Sequence, residues 1–367
     1  MAALLRPHFH LPAPGTRRAV VIGAGSFGTA VAVLLARGGL RTTLQTRTEE
    51  QAERLRDARE NAEYLEGVEL PRELRIEHVD AGLARADYVF LSIPATGLRD
   101  VIDSLEDRGL RRHAAVISLA KGLVPPDGAP PTSILRARFG AGRTGCVGGP
   151  AHAREMVDAG AGLVAASTSS SLATAVAGVF IRAGVVCEES TDPFGVELAG
   201  IAKNAAALAS GATVEQGLNV AGAAAGHIFA EVWRWAESRG ARPESMIGLA
   251  GTGDLVATAL APASRNRRAG ELLAHGVPAD EIGLQVGQAV EALKTVPLLA
   301  DALTTAGFTA PVTSALARLI SGELPLEEWV AVVRTTIPPA ADHQRRAGFW
   351  IRVRNWLGWV SQLFARN

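Results

Sequence analysis

The sequence has almost no cysteine. Only Cys146 and Cys187 occur among its 367 residues, and they lie far apart in the chain. Their separation matches no metal-ligand spacing, and two cysteines cannot build the framework of a disulfide-rich secreted domain. We therefore expect a reduced, cytoplasmic protein without a metal site.

The chain also has no formal net charge at neutral pH, because it contains 37 basic and 37 acidic side chains. A balanced chain has no electrostatic reason to bind nucleic acid, and we expect none as a partner. Residues 1–16 contain no long hydrophobic run, which excludes a signal peptide or a membrane span there, and we interpret them as a leader. The remaining length, in a chain that is 48% apolar, suffices for two domains with separate cores.

The first pattern with chemical meaning begins where an apolar run, residues 19–22, meets glycine. The sequence continues GAGSFG, with Gly23, Gly25 and Gly28 in G-x-G-x-x-G spacing, and an apolar helix is predicted over residues 29–37. A strand, a glycine turn and a helix in this order are typical of dinucleotide binding, since glycine lets the backbone approach a pyrophosphate and the helix amides stabilise its charge. The alternative is a tight turn with a purely structural role.

The second predicted strand, residues 41–45, does not end with the acidic residue that would bind a free ribose 2′-hydroxyl. Arg47 lies nearby instead. A cation favours a 2′-phosphate, so we expect NADP, or the use of both cofactors, in preference to strict NAD. The alternative is a solvated arginine at the end of a strand.

Further apolar strands are predicted at residues 86–93, 114–119, 146–147 and 162–167. Strands that alternate with helices indicate a parallel, doubly wound sheet, in which ligands gather at the carboxyl ends of the strands. Pro94, Lys121 and Gly149 lie at such ends, which favours a functional role for them over a surface turn.

After residue 190 the strand pattern gives way to helices, beginning with GVELAGIAKNAAALAS at residues 195–210. A helix that is apolar on every face is normally buried, yet Lys203 and Asn204 stand in its middle. Lys203 either snorkels to the surface at the helix edge or serves as an acid/base group with a shifted pKa in a cleft between two domains.

Two later segments carry further polar groups. The glycine-rich residues 248–254 predict a flexible turn that presents the Asp254 carboxylate. Ser264 is placed as a helix N-cap, with Arg265 and Asn266 in the first turn. Arginines oppose the dipole at a helix start, and a bound phosphate would relieve that conflict; the alternative is a solvated basic patch.

Several motifs in order give the chain a specific resemblance over roughly residues 18 to 335 to the NAD(P)-dependent glycerol-3-phosphate dehydrogenase family. They are GAGSFGTA, LAKGL, GGP, GVELAGIAKN, GLAGTGDL, SRNRR and GQAVEA. The resemblance implies an α/β fold with an N-terminal Rossmann-type doubly wound sheet, an all-helical C-terminal domain and an active site between them. It also implies a homodimer that interconverts dihydroxyacetone phosphate and sn-glycerol 3-phosphate with NAD(P)H and feeds glycerophospholipid synthesis.

Carried over by position, Lys203 resembles the general base, and Lys121, Asn204 and Asp254 complete the catalytic group. The resemblance implies a substrate site formed by Lys121, Gly149, Lys203, Asp254, Ser264, Arg265 and Asn266. It implies a cofactor site formed by Gly23, Gly25, Ser26, Phe27, Gly28, Arg47, Pro94, Lys121, Ala153, Arg265, Gln288, Ala289 and Glu291. A base poised near neutral pH is also what the oxidation of a secondary alcohol needs.

Three positions depart from the family pattern. Ala151, followed by His152, stands where a hydroxyl residue is usual, His227 aligns with an arginine, and Ala289 replaces a larger aliphatic residue. The two histidines are expected to pack or face solvent rather than act in catalysis. These departures leave open a changed substrate affinity or a different phosphate substrate.

The final segment has its own pattern. Between residues 345 and 366 there is no acid, five arginines occur, and apolar residues recur in steps of four and three. Such a basic amphipathic helix either docks on protein, on its own core or a second subunit, or lies at an anionic membrane surface. We divide the chain into a leader (1–16), a dinucleotide-binding domain (17–190), a helical substrate domain (191–338) and this tail (339–367).

Two other functions stay open: a dehydrogenase of another small phosphorylated alcohol, and a non-catalytic paralogue that binds NADPH as a sensor. Residues 264–266 favour a phosphorylated substrate over a carboxylate. The presence of Lys203, Asn204, Lys121 and Asp254 argues against the sensor, because a protein that only binds cofactor needs none of them.

Overall fold

The computed structural model describes residues 17–261, 264–287 and 290–337. Up to Arg334 these residues form one compact unit. The leader and the tail lie outside the described residues.

Strands occupy the first half of the described chain. They are β1 (Arg18–Ile22), β2 (Arg41–Thr46), β3 (Glu60–Asn61), β4 (Glu66–Glu69), β5 (Arg75–His78), β6 (Tyr88–Leu91), β7 (Ala115–Ser118), β8 (Thr144–Gly148), β9 (Gly162–Ala166) and β10 (Val186–Ser190).

The main sheet has the strand order β10-β9-β8-β7-β6-β1-β2-β5. Its strands pair in parallel except at one place, where β8 and β9 are antiparallel, so the prediction of a parallel strand near residues 162–167 was wrong in direction. The connection from β8 to β9 holds only one short helix, Ala153–Asp158, and this helix does not carry the chain back to the edge from which β8 started. The β-strands β3 and β4 form a separate antiparallel pair.

Helices connect the strands and make up everything after them. They are α1 (Ser26–Arg37), α2 (Glu49–Ala58), α3 (Ala62–Leu65), α4 (Leu98–Asp107), α5 (Pro131–Phe139), α6 (Ala153–Asp158), α7 (Ser170–Arg182), α8 (Pro193–Thr213), α9 (Leu218–Ser238), α10 (Pro243–Ile247), α11 (Asp254–Leu260), α12 (Arg265–Ala274), α13 (Ala279–Val286), α14 (Glu291–Thr305), α15 (Pro311–Ile320) and α16 (Leu326–Thr335).

The architecture confirms the predicted fold class: a Rossmann-type sheet with helices, then a helical region. Strands β6 and β7 are buried at every position, as expected for a sheet covered on both faces. None of the described helices combines the length and apolar character that crossing a bilayer requires.

Helix α8 is the centre of the helical region and is buried along almost its whole length. Its start is held by Asp192, whose carboxylate accepts hydrogen bonds from the Gly195 amide at 2.9 Å, the Arg242 amide at 2.8 Å and the Ser245 hydroxyl at 2.7 Å. An N-cap of this kind contributes about 1 kcal/mol, and here it also joins α8 to α10.

Helices α8 and α12 cross at two glycines. A Cβ atom at Gly270 would lie 2.0 Å from the Leu208 carbonyl oxygen, and one at Gly211 would lie 2.0 Å from the Arg267 carbonyl oxygen. Such distances are far below van der Waals contact, so only glycine permits this approach. The crossing therefore sets how far the start of α12 lies from the middle of α8.

We expect Gly270→Ala to lower the free energy of unfolding by about 2 kcal/mol or more, because the added methyl group must push two backbones apart. Gly226→Ala on α9 is the matched control, since a Cβ there meets nothing within 4 Å. It should stabilise the helix by about 0.5–1 kcal/mol. Thermal or urea unfolding measures both, and equal effects of the two substitutions would contradict the close crossing.

Candidate active site

Lys203 lies in the middle of α8, and its side chain is only 9% exposed. This burial excludes the snorkelling interpretation. A buried ammonium needs a partner, and Lys203 has one in Asp254, whose Oδ1 lies 3.3 Å from the lysine Nζ.

Asp254 is the first residue of α11, and its side chain is 1% exposed. The glycine-rich segment before it forms one turn of π-helix, Leu249–Gly253, in which the Gly253 amide donates to the Gly248 carbonyl at 3.0 Å. The segment is a turn that presents the Asp254 carboxylate, as predicted, and this turn is π-helical. Three glycines with no side-chain bulk allow this wide turn, which delivers the carboxylate directly against α8.

Lys121 reaches the same carboxylate from the loop after β7. Its Nζ donates to Asp254 Oδ2 at 2.7 Å and to the Gly149 carbonyl at 3.0 Å. The Phe27 ring centroid lies 5.9 Å from the same ammonium. Two of the three lysines in the chain thus share one buried carboxylate, one lysine from each half of the fold.

This arrangement shifts the pKa values of the cluster. Burial, followed by the charge of Lys121, lowers the pKa of Lys203 to about 8. Burial by itself would raise the pKa of Asp254, but the two ammonium groups outweigh it and lower that pKa. Asp254 is therefore ionised at neutral pH, whereas Lys203 can lose its proton close to neutral pH.

Asn204 links this cluster to α12. Its side chain donates to the Lys121 carbonyl at 3.1 Å and accepts from the Asn266 side chain at 2.9 Å. Ser264 is the N-cap of α12, as predicted, and its hydroxyl accepts from the Arg267 amide at 3.4 Å. The structure therefore brings the start of α12 to within one side-chain hydrogen bond of the residue that follows Lys203.

The glycine turn has the shape that a dinucleotide needs. Gly23 has a φ of +108°, and a Cβ at Gly28 would lie 1.9 Å from the Gly23 carbonyl oxygen. A Cβ at Gly25 would meet nothing within 4 Å, so the space above the turn is open. Gly25 is also the N-cap of α1 and has no side chain that could accept from the first amides of the helix. These amides can therefore donate to a bound anion.

The other predicted cofactor residues have separate positions. Ser26 begins α1, Pro94 follows β6, Ala153 begins α6, and Arg47 is exposed just after β2. Glu291 begins α14; burial raises its pKa, and the charges of Arg265, Lys121 and Lys203 act against that rise. Gln288 and Ala289 lie outside the described residues.

Two of the three departures from the family pattern, at Ala151 with His152 and at His227, lie within the described residues and carry no catalytic geometry there. Ala151 packs against the core of the sheet half, and His152 lies 3.8 Å from Glu155 near the surface. His227 is half-buried on α9. Within the described residues, no group of acidic, histidine or cysteine side chains could hold a metal ion.

One buried carboxylate was missed from sequence. Glu197 lies on α8, and its Oε1 accepts from the Thr132 amide at 2.9 Å at the start of α5. Burial raises the pKa of Glu197 to about 8. An acid inside an otherwise apolar helix was the available signal. Glu197 joins α8 to the sheet half of the molecule, so it supports the geometry of the site without entering it.

Comparisons with known proteins agree with this geometry. The family model for the N-terminus of NAD-dependent glycerol-3-phosphate dehydrogenase matches residues 18–173, and the model for its C-terminus matches residues 192–331. Glycerol-3-phosphate dehydrogenase (NAD(P)+) of Deinococcus radiodurans is 38% identical over 310 residues, which cover 83% of this chain and 90% of that protein. The enzyme of the same name from Tropheryma whipplei is 35% identical over 311 residues, 83% of this chain and 89% of that protein.

Solved structures give the same result. The crystal structure of glycerol-3-phosphate dehydrogenase from Coxiella burnetii superposes with a TM-score of 0.81 at 25% identity and covers 88% of this chain and all of that one. A ketopantoate reductase from Ralstonia eutropha shares the fold alone, with a TM-score of 0.55 at 19% identity over 83% of this chain and 99% of that one. The chain belongs to the NAD(P)-dependent glycerol-3-phosphate dehydrogenase family.

Proposed function

We propose that this protein interconverts dihydroxyacetone phosphate and sn-glycerol 3-phosphate by hydride transfer with NAD(P)H. The observation that carries the proposal is the pair of lysines on one buried carboxylate, next to a helix start with a serine cap and arginines. The relatives at 35–38% identity bear this activity in their names. The open glycine turn fits a dinucleotide, which when bound supplies the hydride donor or acceptor.

Lys203 handles the proton. In the oxidative direction its neutral Nζ accepts the proton of the C2 hydroxyl while the C2 hydrogen leaves with its electron pair, and in the reductive direction the ammonium returns that proton. With a pKa of about 8, roughly a tenth of Lys203 is neutral at pH 7, so either proton transfer is accessible.

Asp254 and Lys121 prepare this base. Asp254 holds both ammonium groups in place, so Lys203 has little freedom to rotate away from the substrate. Lys121 lies beside the reacting oxygen in this proposal, and its charge adds to burial in opposing protonation of Lys203. The same charge stabilises the alkoxide character that develops on that oxygen.

The start of α12 binds the phosphate in this proposal. The Ser264 oxygen accepts from the Arg267 amide, which leaves the hydroxyl hydrogen free to donate to a phosphate oxygen. The first amides of α12, the Asn266 side chain and the Arg265 guanidinium add donors of the kind that phosphate requires. The Asn204–Asn266 hydrogen bond then fixes the distance from phosphate to base.

Several finer features belong to the same proposal. We place NADP ahead of NAD because of Arg47, a role in glycerophospholipid synthesis because of the product, and a homodimer because of the family resemblance. The basic amphipathic tail, residues 339–367, docks on protein, on its own core or a second subunit, or alternatively brings the enzyme to an anionic membrane surface.

The direct test of the reaction is the absorbance of NADPH and NADH, followed in parallel after dihydroxyacetone phosphate is added to purified protein. Oxidation of either cofactor supports the proposal. Cofactor binding without oxidation would exclude this substrate, and other phosphorylated ketones would then distinguish a related dehydrogenase from a sensor.

Lys203→Ala should lower kcat by about 10²–10⁴-fold, because it removes the general base, while NADPH affinity changes little. Lys294→Ala is the matched control, since this third lysine is exposed on α14. Steady-state kinetics and fluorescence titration with NADPH measure the two effects. Full turnover in Lys203→Ala would contradict the assigned base.

The pH profile tests the coupling of the lysines. For oxidation of glycerol 3-phosphate, kcat/KM should rise with pH and level off above about 8, because only neutral Lys203 accepts the proton. In Lys121→Met the remaining activity should show its inflection at higher pH, since the charge that lowers the pKa of Lys203 is gone. If activity falls but the inflection of the pH profile stays at the same pH, Lys121 binds substrate and does not lower the pKa of Lys203.

Arg47→Gln should raise the dissociation constant of NADPH by about tenfold and leave that of NADH unchanged, because a charge-assisted bond to the 2′-phosphate is lost. Arg54→Gln, on the exposed side of α2, serves as the control for general charge effects. Equal weakening of both cofactors would argue against a 2′-phosphate at this position.

A further inference from the structure

The sheet has a second edge, opposite the site, and arginines line it. Strands β5, β2, β1, β6, β7 and β8 run in parallel, so all six begin at the same edge. Five exposed arginines lie at or just before these strand starts, and we call them the arginine edge: Arg41, Arg75, Arg85, Arg111 and Arg112. The row runs from β5 to β7, five strands at about 4.8 Å spacing, which gives it a length of about 19 Å.

These five side chains have no structural task in the described part of the protein. Neither a hydrogen bond nor an ion pair engages any of them there. Arg143, before β8, differs because its guanidinium donates to the Arg111 carbonyl at 2.6 Å and the Ala114 carbonyl at 3.1 Å. An arginine at the start of a strand is not stabilised by a helix dipole. Arg37, Arg136 and Arg138, in contrast, lie in the last turns of α1 and α5, where a cation interacts favourably with that dipole.

The arrangement carries an electrostatic cost. Arg18 and Arg41 are direct neighbours in the register of β1 and β2, and like charges side by side destabilise a sheet. Four acids lie near this edge: Glu106 pairs with Arg138 at 2.5 Å, Asp87 accepts from the Arg18 amide at 2.8 Å, and Glu73 and Asp107 are exposed. The five arginines of the edge, with Arg18 and Arg143 beside them, outnumber the three acids that have no arginine partner, so the edge keeps an excess of positive charge in a chain whose net charge is zero.

The arrangement of these charges favours a partner with an extended surface over a linear polymer such as nucleic acid. The strand-start arginines and two helix-end arginines beside them form a two-dimensional array, with Arg37 on the α1 side of the sheet and Arg136 on the α5 side. Surfaces that bind single-stranded nucleic acid normally add exposed aromatic residues that stack on bases. The aromatic residues in the neighbouring described segments, Tyr88 and Phe139, are both buried.

We propose that the arginine edge is a docking surface for anionic lipid headgroups and holds the protein at a membrane. Each arginine close to an anionic bilayer contributes a several-fold increase in binding, and repulsion along the row falls when lipid phosphates approach. The candidate active site lies beyond the other ends of the same strands, so docking leaves it open to water. This surface is separate from the tail and does not depend on the proposed reaction.

Vesicle co-sedimentation of the full chain tests this surface. The probes are vesicles of phosphatidylcholine alone and vesicles with equal parts of phosphatidylcholine and phosphatidylglycerol, each at low and high salt. The edge variant changes Arg41, Arg75, Arg111 and Arg112 to glutamine. The control variant loses the same charge elsewhere, with glutamine at Arg54, Arg239, Arg318 and Arg334, which are also exposed.

We expect binding to the anionic vesicles only, weakened by salt, and lowered at least about tenfold in the edge variant while the control stays within about twofold. A third variant with glutamine at Arg345, Arg346, Arg352 and Arg354 measures the tail separately. Equal binding of the edge and control variants would overturn the proposal, as would binding that depends on the tail variant alone. Tighter binding of a DNA duplex than of vesicles, lost in the edge variant, would also overturn it. Unchanged cofactor affinity and melting temperature confirm that the edge variant is folded.

Discussion

The site depends on one ion cluster, in which a single buried carboxylate holds two ammonium groups. Asp254 lies 2.7 Å from Lys121 Nζ and 3.3 Å from Lys203 Nζ, and all three side chains are mostly withdrawn from water. An unpaired ammonium group inside an apolar helix is costly, so without Asp254 the buried Lys203 would be driven further towards its neutral form. Burial, and after it the second ammonium group on the same carboxylate, lowers the pKa of Lys203 and makes it easy to deprotonate.

The rest of the fold delivers these three groups from different directions. Lys121 comes from the end of a sheet strand, Lys203 from the middle of α8, and Asp254 from a π-helical turn. Close approach at Gly211 and Gly270 then brings the start of α12 beside Asn204. Small residues along α8 are therefore a geometric requirement, because larger ones would move the proposed phosphate site away from the proposed base.

Much of this organisation could be predicted from the sequence, because several motifs occurred in the right order and each belongs to a fixed place in an α/β fold. The glycine turn, the Lys203 helix and the Ser264 cap needed only local rules of backbone conformation and burial. Family membership followed from the same motifs. The direction of β9 could not be predicted, since an apolar strand has the same composition whether it pairs in parallel or antiparallel.

Other features depend on contacts between distant residues, which the local patterns of a single sequence do not reveal. The π-turn before Asp254 looks like any glycine-rich loop, and Gly270 is an ordinary helix glycine until α8 is placed against it. Lys203, Lys121 and Asp254 were all predicted as site residues. The sequence did not show that both lysines contact the same carboxylate. Glu197 was overlooked because its partner, Thr132, lies in the other half of the molecule.

The most direct test of this account is the pKa of Lys203 itself. The chain has three lysines, so protein labelled with 13C at the lysine side chains gives three resolvable titration curves by NMR, and Lys203→Ala and Lys294→Ala assign them. The account predicts that the Lys203 curve has its midpoint near pH 8 in the free protein, well below that of Lys294. A Lys203 midpoint above about pH 10, the ordinary range of lysine, would contradict the central claim that burial and Lys121 prepare this side chain as a base.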